Sequence, residues 1–207
     1  MRFSIVMPTM GERPEMIAES IESVLNQSFP DFELIIVNGG HDIEIPKDKR
    51  IKVIRQTGKG LGQALNQGFQ EAKGEILNES NDDDLMAEKA LEIVDKEIGD
   101  FKWLYGNIKY GADIYGRSWD YEGLKRHNYV PQPAVYFTKE VYKEMGPWEE
   151  QFELAADYEY WLRLGSKHEP KYIKNVLAHY TVHEGQITKT QTAKQLAHAN
   201  EVKRKYL

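Results

Sequence analysis

The run Phe32–Val37 (FELIIV) is the clearest strand in this chain, rich in β-branched residues and stopped by Asn38-Gly39-Gly40. It does not stand alone. Phe3–Met7 is a second apolar run that meets Pro8 and Thr9, Ile51–Arg55 a third, and Ile76-Leu77 a short fourth. Between them lie segments of helical period. Met16–Asn26 places Ile17, Ile21, Val24 and Leu25 on one face. Leu61–Lys73 does the same with Leu61, Leu65 and Phe69, and Gly74 is its expected C-cap. Ala87–Ile98 follows. Strands alternating with helices over about the first hundred residues predict a mainly parallel α/β sheet. Ligands of such sheets bind at the carboxyl ends of the strands. Pro8-Thr9, Asn38-Gly39-Gly40 and Asp82-Asp83-Asp84 all fall at such ends.

The acidic triplet carries the chemistry. Three adjacent negative charges repel, and a hard divalent cation offsets that repulsion because Mg²⁺, Mn²⁺ and Ca²⁺ prefer carboxylate oxygens. The alternative is a solvated helix cap, since Asp and Asn favour the first turn of a helix. Three polar loops on one rim favour the metal.

The second half changes character. Trp103–Tyr105 and Ala134–Phe137 read as strands, Val141–Met145 and Asp157–Leu164 (DYEYWLRL) as helices, and about 192–206 as a terminal helix; Lys109–His127 shows no strong period. The absence of cysteine excludes disulfides, thiolate catalysis and Cys-type metal sites. A net charge of −6 argues against broad nucleic-acid binding. No segment reads as a signal peptide or membrane span, so a cytoplasmic protein is expected. The basic run Lys203-Arg204-Lys205 is its one candidate for a peripheral contact with the inner face of a membrane.

Five segments resemble a family-2 glycosyltransferase of the GT-A fold: SIVMPT with SIESVLNQSF and FELIIVNGG; GKGLGQALNQGFQEAKGEI; NDDDL; QPAVYF with DYEYWLRL; and YTVHEGQIT. The resemblance spans nearly the whole chain. It implies a nucleotide-binding sheet flanked by helices, with a smaller acceptor-binding part. The expected division is residues 1–100 for the nucleotide sugar, 101–189 for the acceptor and the catalytic base, and 190–207 for a helical tail, in one compact domain.

What the resemblance implies for chemistry is an inverting transfer from a nucleotide-diphosphate sugar to a saccharide or lipid-linked acceptor hydroxyl, with Mn²⁺ or Mg²⁺ at the leaving diphosphate. The implied base is Asp157, which follows the small residues Ala155-Ala156; as a residue at a helix start it also fits an N-cap. Pro8, Thr9, Glu12, Arg13, Asn38, Lys59, Asn66, Asp82 and Asp83 are the candidate nucleotide-sugar contacts. Asp82, Asp84 and His183 are the candidate metal ligands, although the register leaves Asp83 with Asp84 as an alternative pair. Gln132 and an aromatic, Trp161 among them, are candidate acceptor contacts. The family's base-reading Asp is here Asn38, which puts the expected UDP-sugar preference in question.

Two other classes compete. A sugar-nucleotide nucleotidyltransferase would want a Gly- and Arg/Lys-rich phosphate loop after the first strand, where MPTMGERPE offers one Gly. A non-catalytic nucleotide-sugar or glycan-binding module would fit Asn38, but not Asp82–Asp84 and Asp157 together.

Overall fold

A computed structural model describes residues 1–207. Strands β1 (Phe3–Thr9), β2 (Phe32–Asn38), β3 (Ile51–Arg55) and β4 (Ile76–Glu79) run parallel in the spatial order β3-β2-β1-β4. The sheet then continues past β4 without a break. β8 (Val135–Thr138) and β6 (Trp103–Tyr110) join antiparallel, β9 (Lys171–Tyr180) lies parallel to β6, and the two-residue β5 (Leu85–Met86) pairs with β9 at the edge. The expected parallel sheet is thus realised in the first half and becomes mixed in the second.

Helices cover both faces, and the strands show it by their alternation. Val6, Ile35, Val37 and Leu77 pack with α2 (Leu61–Glu71) and α6 (Ala156–Gly165). Ile5, Met7, Leu34, Ile36 and Ile76 pack on the opposite face with α1 (Pro14–Leu25) and α3 (Ala90–Ile98). Adjacent strand residues point to opposite faces, so a strand between two helical layers must be apolar throughout. Every residue of β2 is buried, which accounts for the FELIIV run.

Several expected boundaries shift. Helix α2 stops at Glu71, and Gly74 is not its cap. Instead the buried Glu33 of β2 accepts from the Lys73 N–H at 2.7 Å and the Ser4 hydroxyl at 2.6 Å, while Gly74 N–H donates to Ser4 Oγ at 2.7 Å. A carboxylate that ties down the exit of a helix needs no glycine cap. Strand β4 keeps Asn78 and Glu79, both buried, although neither residue type favours a strand. The stretch without a period, 109–127, holds a hairpin strand β7 (Asp113–Tyr115) and a short helix α4 (Tyr121–Arg126), whose N-cap Asp120 accepts from Gly123 N–H at 2.9 Å. Strand β9 has no counterpart among the expected elements.

The remaining helices are α5 (Lys139–Met145), α7 (Ile187–Thr190) and α8 (Thr192–Tyr206). Helix α8 is locked onto α6 by Glu159, fully buried, which accepts from Arg163 at 2.8 Å, Lys205 at 2.8 Å and the Tyr206 hydroxyl at 2.6 Å. Lys205, part of the basic run that was a candidate for a membrane contact or a solvated helix end, is paired with Glu159 and Glu149. No helix is long and apolar enough to cross a membrane.

Gly68 sets the distance between α2 and the sheet. A Cβ there would stand 2.3 Å from Val6 Cγ1 and 3.0 Å from Val37 Cγ2. Gly68→Ala is expected to destabilise by about 1–3 kcal/mol despite Ala's better helix propensity. Adding Val6→Ala should recover most of the loss in a thermal melt. Independent, additive losses would show that the contact is not what fixes the helix.

Candidate active site

The carboxyl ends of β1, β2 and β4 form one rim. At the end of β1 the Thr9 hydroxyl donates to Asp82 Oδ2 at 2.6 Å and accepts from Gly11 N–H at 3.0 Å. Arg13, the residue before α1, reaches both Asp82 Oδ1 at 3.5 Å and Asp83 Oδ2 at 3.6 Å. His183 Nε2 lies 2.9 Å from Asp83 Oδ2. Its Nδ1 accepts from Gly185 N–H at 3.1 Å, so in the neutral ring the proton sits on Nε2 and points at Asp83. His183, expected as a metal ligand, is in this arrangement a donor to a carboxylate.

Asp84 faces inward. Its oxygens accept from Thr181 N–H at 2.9 Å and from the Asn81 amide at 2.7 Å, and its own carbonyl accepts from Ser20 at 2.7 Å. Burial pushes the Asp84 carboxyl up to about 6, against the pull of these two donors. Burial also raises Asp82, with the charge of Asp83 adding to it and Thr9 and Arg13 opposing it. No three carboxylate or histidine groups converge as a ready metal cage. What does converge is Asp82 and Asp83 on one shared guanidinium. Mg²⁺-type ions are commonly held by one or two carboxylates, with substrate phosphates and water completing the shell. The donor set fits such an ion, and the orphaned, buried Nε of Arg13 shows that the guanidinium is not fully satisfied where it stands. Asp82 and Asp83 are half-buried and share Arg13, whereas Asp84 is buried and bonded to Thr181 and Asn81.

At the end of β2, Asn38 is turned on its own loop. Its amide donates to His41 C=O at 2.8 Å and its Oδ1 accepts from Gly40 N–H at 2.9 Å. A Cβ at Gly40 would meet Met10 C=O at 1.9 Å, so the β1 and β2 loops meet backbone to backbone at this position. Pro8 ends β1 half-buried, and Glu12 and Lys59 are exposed. Asn66, expected near the phosphates, instead clamps Trp148: its amide donates to the Trp148 carbonyl at 3.0 Å and its Oδ1 accepts from the Trp148 N–H at 2.8 Å.

Asp157 sits in the first turn of α6, one residue inside the helix; the N-cap is Ala155. Its Oδ2 accepts from Asn128 Nδ2 at 2.9 Å. Burial raises its carboxyl above the ordinary aspartate value, opposed by the backbone N–H of Tyr158 and by Asn128. Gln132 donates to the carbonyl of Glu79, the last residue of β4, at 3.2 Å, and the charge of Asp157 bears on the Glu79 carboxyl. The start of α6 is thereby brought to the strand whose following loop carries Asp82–Asp84. Trp161 is not at the rim. It lies in the core, stacked on Trp103 at 5.9 Å and 12°.

Residues 4–145 match the family model described as Glycosyl transferase family 2. The chain belongs to glycosyl transferase family 2. Among curated relatives it is similar to an uncharacterized glycosyltransferase, MJ1057, of Methanocaldococcus jannaschii, 27% identical over 77% of this chain and 63% of that protein. It is also similar to a PGL/p-HBAD biosynthesis glycosyltransferase of Mycobacterium tuberculosis, 26% identical over 78% of this chain and 68% of that protein. An uncharacterized glycosyltransferase of Rickettsia bellii matches 53% of this chain, which spans only 17% of that protein. Two solved structures share the GT-A architecture. S. aureus TarS 1-349 in complex with UDP-GlcNAc superposes with a TM-score of 0.71 at 18% identity, over 92% of this chain and 61% of that one. The mannosyltransferase PcManGT from Pyrobaculum calidifontis, with GDP-Man and Mn²⁺, gives 0.70 at 17%, over 96% and 62%.

Asn81, Thr181, Asn128 and Glu79 are site residues that the sequence reading missed. Asn81 and Thr181 lie within the segments NDDDL and YTVHEGQIT, but nothing in the sequence assigned them a role.

The raised Asp84 carboxyl has a sign that can be checked. Its folded value of about 6 exceeds the ordinary 3.8, so the folded protein binds a proton that the unfolded chain releases. Stability from this group therefore falls as pH rises from about 4 to about 6. In chelator-treated protein, Asp84→Asn, with the Asn81 amide flipped to accept, should raise the melting temperature at about pH 8 and change it little near pH 4. A loss of stability at the higher pH would contradict this reading.

Proposed function

We propose that this chain is a metal-dependent, inverting glycosyltransferase that moves a sugar from a nucleotide-diphosphate donor to an acceptor hydroxyl in glycan or lipid-linked saccharide synthesis. One observation carries the reading. Two carboxylates that share a guanidinium stand on the strand-end rim where α/β sheets bind ligands, and an aspartate with a raised carboxyl approaches the same strand end from α6. Family membership supports it, as do the donor sugars bound by the two structural neighbours.

In this mechanism Asp82 and Asp83 would hold Mn²⁺ or Mg²⁺, and Asp84 fixes their loop through Thr181 and Asn81. The ion, when bound, offsets the charge that develops on the departing diphosphate. Arg13, which lies beside both carboxylates, would supply a positive charge to a donor phosphate at this rim. Asp157 removes the proton of the acceptor hydroxyl as the new C–O bond forms and the bond to diphosphate breaks. Its raised carboxyl makes it a stronger base than an exposed aspartate. One base opposite one leaving group gives inversion in a single displacement. Asn38 spends its side chain on its own loop, so the nucleobase is read by the backbone of the β1 and β2 loops, and both UDP- and GDP-sugars belong in the test.

Incubated with Mn²⁺ and a panel of nucleotide sugars, the protein should release nucleoside diphosphate. With water as acceptor, the sugar seen by early-time proton NMR should have the inverted anomeric configuration. Asp157→Asn should leave donor affinity within about threefold and lower turnover by about 10²–10⁴-fold. The rate should also fall on the acid side as Asp157 is protonated. Release of pyrophosphate would point to a nucleotidyltransferase, and a retained anomer would rule out the single displacement.

A further inference from the structure

Glu79 is a buried carboxyl that the mechanism above does not use. It is 3% exposed, and its Oε2 is buried with no hydrogen-bond partner. The alternation of β4 sends its side chain to the same face as Leu77, the face that packs against Ala156, Tyr158 and Trp161 of α6. Its register partner on β1 is Val6, an apolar residue of that same cluster. Asp157 is the charged group that bears on it, and Gln132, bonded to its backbone carbonyl, is its polar neighbour. Burial, and then the charge of Asp157, hold the Glu79 carboxyl well above the ordinary range against the opposing pull of the Gln132 amide, which favours the neutral acid.

A carboxyl at the end of an apolar stripe destabilises the fold unless something satisfies it. Nothing in the protein bonds Oε2. The position is also specific: the side chain lies at the strand end that Asp157 approaches, three residues before the first carboxylate of the metal loop. A neutral carboxylic acid is both a donor and an acceptor, which matches a sugar hydroxyl.

We propose that Glu79 is a sugar-contacting residue of the transfer site, its Oε2 hydrogen-bonding a saccharide hydroxyl beside Asp157. This rests on the glycosyltransferase reading above. The hydroxyl belongs either to the donor sugar or to the acceptor, and the two are separable. A site built to bond a hydroxyl discriminates strongly against sugars that lack it, because its own polar group is then left unpaired.

The test compares wild type with Glu79→Gln and Glu79→Leu. Calorimetry with Mn²⁺ measures binding of the best nucleotide sugar of the panel and of its nucleoside diphosphate alone. Transfer to a panel of monosaccharides then gives the KM for acceptor. If the donor sugar is the partner, Glu79→Leu should weaken the nucleotide sugar roughly tenfold, the scale of one hydrogen bond, and leave the diphosphate unchanged. If the acceptor is the partner, both affinities stay and the acceptor KM rises by a similar factor. Glu79→Gln, nearly isosteric and able to donate and accept, should recover part of either loss. Glu79→Ala replaces Glu79→Leu if the latter does not fold. Wild-type affinities and KM in the folded apolar variant would overturn the role of Glu79 while leaving the glycosyltransferase reading intact. A wild-type protein that binds no nucleotide sugar would overturn both.

Discussion

Crowded negative charge at the end of β4 is the constraint around which this molecule is organised. Asp82, Asp83 and Asp84 follow one another in a loop whose burial raises at least two of them. The loop is held by partners from different parts of the chain: Thr9 at the end of β1, Arg13 before α1, His183 and Thr181 after β9, and Asn81 within the loop itself. These partners lie up to 100 residues from the carboxylates they meet. The order of strands in the sheet brings them together, with β1 beside β4 and β9 pairing with the β5 strand that continues the acidic loop. The architecture and the charge compensation are one arrangement seen from two sides.

The same arrangement explains why the site opposes stability. Asp84, Glu79 and Asp157 are all carboxyls that burial disfavours in their charged form. A chain selected for stability alone would place apolar or paired residues there. A cation and a diphosphate would relieve the acidic loop, and a sugar hydroxyl would relieve Glu79. Helix α8 works in the opposite direction. Glu159 shows what a buried carboxylate looks like when the protein itself completes it, with Arg163, Lys205 and Tyr206 all donating to it. Glu159 has three donor residues, whereas the Oε2 of Glu79 has none, and that contrast is what the proposed sugar contact would remove.

How much of this was legible beforehand varies with the kind of interaction. The β1–β4 layer and its covering helices follow from local pattern, because apolar runs and helical stripes are written within a few residues of each other. The family was legible in the order and spacing of five segments along the chain. Strand β9 was not, since a strand whose polar residues alternate irregularly is defined by its neighbour β6, and no local signal marks it. Trp161 was expected near the acceptor because aromatics stack on sugars, but a stripe of Trp and Tyr on a helix more often seals a core, as it does here against Trp103. Asn66 and His183 have the right chemistry for phosphate and metal. Their partners, the Trp148 backbone and Asp83, are 82 and 100 residues away, and no spacing rule anticipates them.

Electron paramagnetic resonance of Mn²⁺ tests the centre of this account most directly, because it reports the ion itself and needs no knowledge of the sugar or acceptor. Titrated into the protein with UDP or GDP present, Mn²⁺ should bind at one site per chain. Replacing Asp82 and Asp83 together by Asn should abolish that site while the protein stays folded. Bound Mn²⁺ that survives the double replacement, or none bound to the wild type with either nucleotide, would contradict the assignment of this rim as a metal–diphosphate site.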